Sequence, residues 1–180
     1  VGFSFFNMTG QLITIIGVMT LSQPLSARFG KRNVFIVCLI LTTLFTGLFI
    51  IVPAKSVGLA FLLNILKSLA YAPTIPLLWA MMADVADYSE WKNHRRATGF
   101  VFAGVVFSLK VGLGFGGAIC GWIIGSFGYI QNTAPDEKVL LGIRLTSSIF
   151  PAITFLIGVI ALYSYTISKR MNEEIQQELN

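Results

Sequence analysis

A lysine in the middle of an apolar stretch is the first residue here whose type and place demand a chemical explanation. Lys110 stands within Val105-Val106-Phe107-Ser108-Leu109-Lys110-Val111-Gly112. On a helix it lies roughly 20 Å from the start of its run, at ~1.5 Å per residue. That is too deep for easy contact with headgroups. An ammonium at the centre of a bilayer costs about 2.5–3.5 kcal/mol on insertion scales. It requires a polar cavity or a carboxylate, and no acidic residue of the sequence stands at the same depth. The expected counter-ions therefore lie outside this sequence. The structural alternative is an uncharged amine, or one rescued by a local water defect.

Asp84 and Asp87 are three residues apart and share a face if helical. They end an apolar run, where the helix macrodipole disfavours negative charge. Arg28, Lys31, Arg32, Arg95 and Arg96 fall on the same side and can offset them. Two readings stand: an ordinary interfacial ion-pair cluster, or a cytoplasmic gate whose pairs form in one state and break in another. The gate would draw on Asp84, Asp87, Glu90, Arg28, Arg95 and Arg96. Paired-carboxylate hydrolysis does not fit, because no water-side domain adjoins them to hold a substrate. Lys67 lies about ten residues into its run and can extend toward the outer interface, with Asn64 on the same face. Pro73 and Pro76 each remove a backbone donor and force a bend. The bend is either a hinge beside a transport site or a static kink.

Gly112-Leu113-Gly114-Phe115-Gly116-Gly117 has the composition of a nucleotide loop but follows no strand. Gly112 and Gly116, then Gly117, Gly121 and Gly125, recur every four residues and predict a smooth face for helix packing. No spacing of histidines, cysteines or carboxylates suits a metal. His94 stands alone, and Cys38 and Cys120 sit inside apolar runs.

The elements that position these groups follow from composition. Of 180 residues, 55% are hydrophobic and 12% charged, with a mean hydropathy of +0.77. Soluble domains carry about 25% charged residues, so a soluble enzyme and a disordered chain are both excluded. The net charge of +5 does not mark a nucleic-acid binder, because the basic residues sit between apolar runs. Those runs cover about 3–27, 34–52, 57–86, 97–127 and 144–167, followed by a charged tail at 169–180. A helix needs ~20 residues to cross a bilayer, and open sheet edges are not tolerated in lipid. The expected fold is all-α, with five transmembrane helices. Arg28, Lys31 and Arg32, then Lys92, Arg95 and Arg96, then Lys169 and Arg170 outnumber Lys55, Lys138 and Arg144 on the other side. Basic excess marks the cytoplasmic face, so the tail is expected there and residue 1 outside. With valine first and no signal-peptide pattern, the sequence reads as a fragment preceded by at least one further helix.

Ala27-Arg28-Phe29-Gly30-Lys31-Arg32 resembles the short basic loop of the major facilitator superfamily. Trp79-Ala80-Met81-Met82-Ala83-Asp84-Val85-Ala86-Asp87-Tyr88-Ser89-Glu90-Trp91-Lys92 is more specific. With Arg95-Arg96-Ala97-Thr98-Gly99, Lys110 and Gly116-Gly117, it resembles the glycoside–pentoside–hexuronide:cation symporter family, the melibiose-permease-like branch of that superfamily. The resemblance covers essentially the whole sequence and implies helices eight to twelve of a twelve-helix carrier. It implies a sugar or glycoside moved with Na⁺, Li⁺ or H⁺ by alternating access in the bacterial inner membrane. No cofactor is implied beyond the coupling cation. The implied partners are the sugar, the cation, the bilayer and the missing amino-terminal half. Lys110 would link cation and sugar sites. Ile75, Val105, Val106 and Leu109 fall at substrate-facing positions and are all apolar here. Trp79, one turn from Ile75, offers either a stacking face or a packing group. The competing classes are a membrane-embedded enzyme on lipid-linked substrates and a non-transporting sensor or structural subunit.

Overall fold

The computed structural model describes residues 2–53, 56–95, 97–131, 133 and 136–179. Lys55 and Arg96, both counted above for orientation, lie outside the described residues. Eight helices follow one another: α1 (Gly2–Phe29), α2 (Lys31–Leu48), α3 (Val57–Tyr71), α4 (Thr74–Asn93), α5 (Thr98–Ser126), α6 (Glu137–Ser147), α7 (Ile149–Tyr163) and α8 (Lys169–Leu179). A short 3₁₀ turn, Phe49–Ile51, extends α2. No strand occurs among the described residues. Five helical stretches are long and apolar enough to span a membrane: Gly2–Phe29, Lys31–Ile51, Val57–Asn93, Thr98–Ser126 and Glu137–Tyr163.

The break between α1 and α2 is a single residue. Gly30 has φ 82°, a backbone state that costs a side chain dearly. The break between α3 and α4 falls where Pro73 and Pro76 remove donors. Within this break Thr74 Oγ1 donates to the Tyr71 carbonyl at 2.6 Å. The Val57–Asn93 stretch would run about 55 Å at ~1.5 Å per residue, against a ~30 Å hydrocarbon core. Its last turns, carrying Asp84 and Asp87, therefore project beyond the apolar slab.

Two expected boundaries need correction. The fifth span starts at Glu137, not near 144. Asp136 caps it by accepting from the Val139 amide at 2.8 Å, and Lys138 and Arg144 both lie within the helical stretch. That span is also broken at Ser148, whose Oγ donates to the Arg144 carbonyl. The charged 169–180 segment is helical over its described residues. It forms α8, which packs against α4 with Ile175 fully buried; Met171, Ile175 and Leu179 recur every four residues along it, the spacing of an amphipathic helix.

The core forms where α2 meets α4 and α7. Val34, Phe35, Cys38 and Leu39 pack on Leu77, Met81 and Val159. α1 lies against α3 at close range: a Cβ on Gly17 would sit 2.6 Å from the Ala72 Cβ. Gly17→Ala should therefore lower the thermal midpoint in detergent. Overpacking of this kind costs about 1–3 kcal/mol, more than the ~1 kcal/mol that alanine gains in helix propensity. An unchanged midpoint would mean the two helices separate freely.

The glycine repeat does not pack within this chain. A Cβ on Gly112, Gly116, Gly117, Gly121 or Gly125 would meet nothing within 4 Å, and α5 has no buried residue. α5 packs on α4 and α6 through other residues.

Candidate functional site

The carboxyl end of α1, the start of α2, the last turns of α4, the end of α7 and α8 converge into one charged end. Lys31 Nζ holds both Asp84 oxygens, at 2.7 and 2.8 Å. The aspartate side chain is 8% exposed and the lysine 34%, so the pair is half-shielded from water. Arg32 Nη2 donates to the Tyr163 carbonyl at 3.1 Å. Lys169 Nζ donates to the Ala27 carbonyl at 2.8 Å. Both carbonyls belong to terminal helical turns, whose oxygens otherwise lack partners. Gln176 Nε2 donates to Asp87 Oδ2 at 2.9 Å, and Trp91 Nε1 to Glu178 Oε2 at 2.5 Å. α8 thus ties α1 to α4.

Tyr165 borders Asp84 within a cavity of about 450 Å³. Burial, and secondarily the Asp84 charge, push its phenol well above the usual tyrosine range, so it stays neutral at any physiological pH. Arg32 Nε and Asn172 Oδ1 border the same cavity and are buried without a hydrogen-bond partner among the described residues.

The sequence expectation is met only in part at this end. Of the five candidate bases, Lys31 is the partner of Asp84. Arg28 lies over the Phe29 ring at 5.4 Å. The Arg95 carbonyl accepts from Ser89 Oγ at 3.5 Å. Arg96 lies outside the described residues, and Glu90 is not without a partner. Tyr165, Gln176 and Glu178 were not singled out. The sequence signal that could have found α8 is Met171, Ile175 and Leu179, recurring every four residues among polar neighbours.

Lys110 is exposed on α5 and has no hydrogen bond or ion pair among the described residues. Val105 and Leu109 line an apolar groove of about 640 Å³ between α4 and α5, with Leu78, Met82 and Phe100. Lys110 is not part of its wall. Ile75 and Val106 are exposed. Trp79 stacks on Phe102, with ring centroids 6.1 Å apart and planes 9° apart, so one indole face is already covered. Pro73 and Pro76 bracket the start of α4. No group of three or more metal-ligating side chains occurs among the described residues.

Five apolar spans, a charged end outside them and a charged residue set within a span define a multi-pass helical membrane protein. The family model for MFS/sugar transport proteins matches residues 1–169, and the chain belongs to that family. It is 33% identical over 97% of its length to YagG of Escherichia coli (strain K12), provisionally named a glycoside/cation symporter. It is 31% identical over 93% to the isoprimeverose transporter of Lactiplantibacillus pentosus. It is 27% identical over 99% to the glucuronide carrier protein homolog of Escherichia coli (strain K12). These matches span 38%, 36% and 39% of the respective relatives. The resemblance to the glycoside–pentoside–hexuronide:cation symporters is thereby sustained.

Proposed function

We propose that the chain is part of a carrier that moves a sugar or glycoside together with Na⁺, Li⁺ or H⁺ by alternating access. The observation that carries this reading is Lys110: a cation within an apolar helix, with no carboxylate partner among the described residues. Charged groups inside membrane spans mark ion and substrate paths. A coupling cation would compete with the Lys110 ammonium for carboxylates contributed from outside this chain, so that cation occupancy and sugar binding are linked. The names of the relatives support a sugar as cargo and a transporter in place of an enzyme. The basic excess at the charged end supports a cytoplasmic location for it in a bacterial inner membrane. The charged end, where Lys31 and Asp84 brace α2 against α4, would accompany closure on that side.

The test is a flux measurement on the complete polypeptide in proteoliposomes. An imposed sugar gradient should drive cation uptake, read with a cation-sensitive dye. Absence of cation flux across a panel of sugars would return the choice to a membrane enzyme or a sensor.

A further inference from the structure

We infer that the cavity at the charged end is a ligand site of its own. It takes a phosphorylated polyol, and its occupation slows transport. This rests on the cytoplasmic placement of that end proposed above, and it adds a control to the carrier, separate from its cargo.

Two buried atoms call for a ligand. Arg32 Nε, a donor on α2, and Asn172 Oδ1, an acceptor on α8, have no hydrogen-bond partner among the described residues. Both residues line the same cavity. A buried polar atom left unpaired is costly, and these two belong to different helices around one space. Arg32 Nη2 is already engaged by the Tyr163 carbonyl, so Nε is a donor left over. The cavity encloses about 450 Å³, within the ~300–1,000 Å³ range of small-molecule sites.

The charge of the lining sets the charge of the ligand. Lys31 is matched by Asp84 at 2.7 Å. That leaves Arg32 and Lys169 against Glu173, which is exposed and screened by water. Lys169 Nζ holds the Ala27 carbonyl at 2.8 Å, and an ammonium keeps further donors beyond one such bond. Gly30 opens α2 with no side-chain cap, which leaves its first amides free beside the cavity. All of these favour an oxyanion.

An anion alone does not complete the site. Asn172 Oδ1 only accepts, so inorganic phosphate would leave it bare. A neutral sugar would serve Asn172 and leave the guanidinium and ammonium without a counter-charge. A phosphate ester that also carries hydroxyls serves both. Two sources supply that chemistry on a cytoplasmic face: a soluble sugar phosphate and a phosphatidylglycerol headgroup. The first is the product of phosphoryl transfer onto a sugar hydroxyl, a class of reaction that consumes imported sugar. Either ligand bridges α2 to α8, and α8 is itself tied to α4 through Gln176 and Asp87 at 2.9 Å. A bridged end resists rearrangement, so sugar exchange slows.

The test titrates the complete polypeptide, held in phosphatidylcholine nanodiscs, with D-glucose 6-phosphate, and separately with D-glucose and inorganic phosphate. The ester should bind most tightly. Lys169→Gln and Asn172→Ala should each weaken it on the order of 10-fold. Both variants spare the bond from Arg32 to Tyr163, and an unchanged thermal midpoint without ligand shows that the fold is kept. Inorganic phosphate or glucose binding as tightly as the ester overturns the inference. So does an ester affinity that both variants leave unmoved. Nanodiscs containing phosphatidylglycerol separate the sources: loss of ester binding there assigns the site to the headgroup, and unchanged ester binding assigns it to the soluble form. In proteoliposomes, the ester present on both faces should slow sugar exchange in the wild type and lose that effect in Asn172→Ala. Unchanged exchange in the wild type overturns the control of transport. The titration reads no flux, so its failure leaves the carrier reading standing, and absence of all sugar flux leaves the site standing.

Discussion

Replacing Lys110 with valine in the complete polypeptide is expected to abolish cation-driven sugar accumulation, while sugar still equilibrates across the membrane. The argument is electrostatic. Lys110 is exposed on a helix with no fully buried residue, and it meets no carboxylate among the described residues. Leaving the charge unpaired in hydrocarbon costs about 2.5–3.5 kcal/mol or more, and in the proposed mechanism carboxylates contributed from outside the chain compensate it. If a coupling cation displaces the ammonium from those carboxylates, its removal leaves nothing for the cation to compete with. The accumulation ratio in proteoliposomes should fall to unity. Lys110→Arg should keep partial coupling, because the charge survives in a larger head. An accumulation ratio unchanged in Lys110→Val would refute the mechanism.

Neutralising the charged end should act differently. Asp84→Asn together with Asp87→Asn removes the counter-charge of Lys31 and weakens the bond from Gln176. Breaking a fully buried ion pair costs 3–5 kcal/mol. With Lys31 at 34% exposure, water returns part of that, and the expected loss is about 1–3 kcal/mol. Thermal unfolding in detergent should show it. Joining Asp84→Leu to Lys31→Met should recover much of the loss, since no lone charge remains. On function, the double asparagine variant should change sugar exchange rates more than sugar affinity, because these residues sit at one end of the bundle. Unchanged exchange with weakened affinity would count against a gating role.

Much of the architecture was legible in advance. Five apolar runs announced five spans, and Pro73 and Pro76 marked the α3–α4 break. These signals are local, set by hydropathy and by missing backbone donors. What was not legible depends on distant neighbours. Five basic residues stood within plausible reach of Asp84, and only the one-residue turn at Gly30, which sets Lys31 against α4, selects among them. The helix of α8 was not legible as a span because eleven mostly polar residues carry little hydropathy signal, although Met171, Ile175 and Leu179 recur at helical spacing. The fifth span was placed late for a related reason: charges in its first turns lie at its end, where they cost little. Asn64 and Lys67 were seen to share a face, but the pocket they line between α1 and α3 is completed by Gln11, from a helix more than fifty residues away.

The bareness of α5 carries a consequence for how this sequence can drift. A helix that buries no residue fully inside its own bundle is only weakly constrained by internal fit. Substitutions along its glycine-rich half will be accepted or rejected by whatever surface lies across from it, so the pattern of tolerated change there is an imprint of that opposing surface.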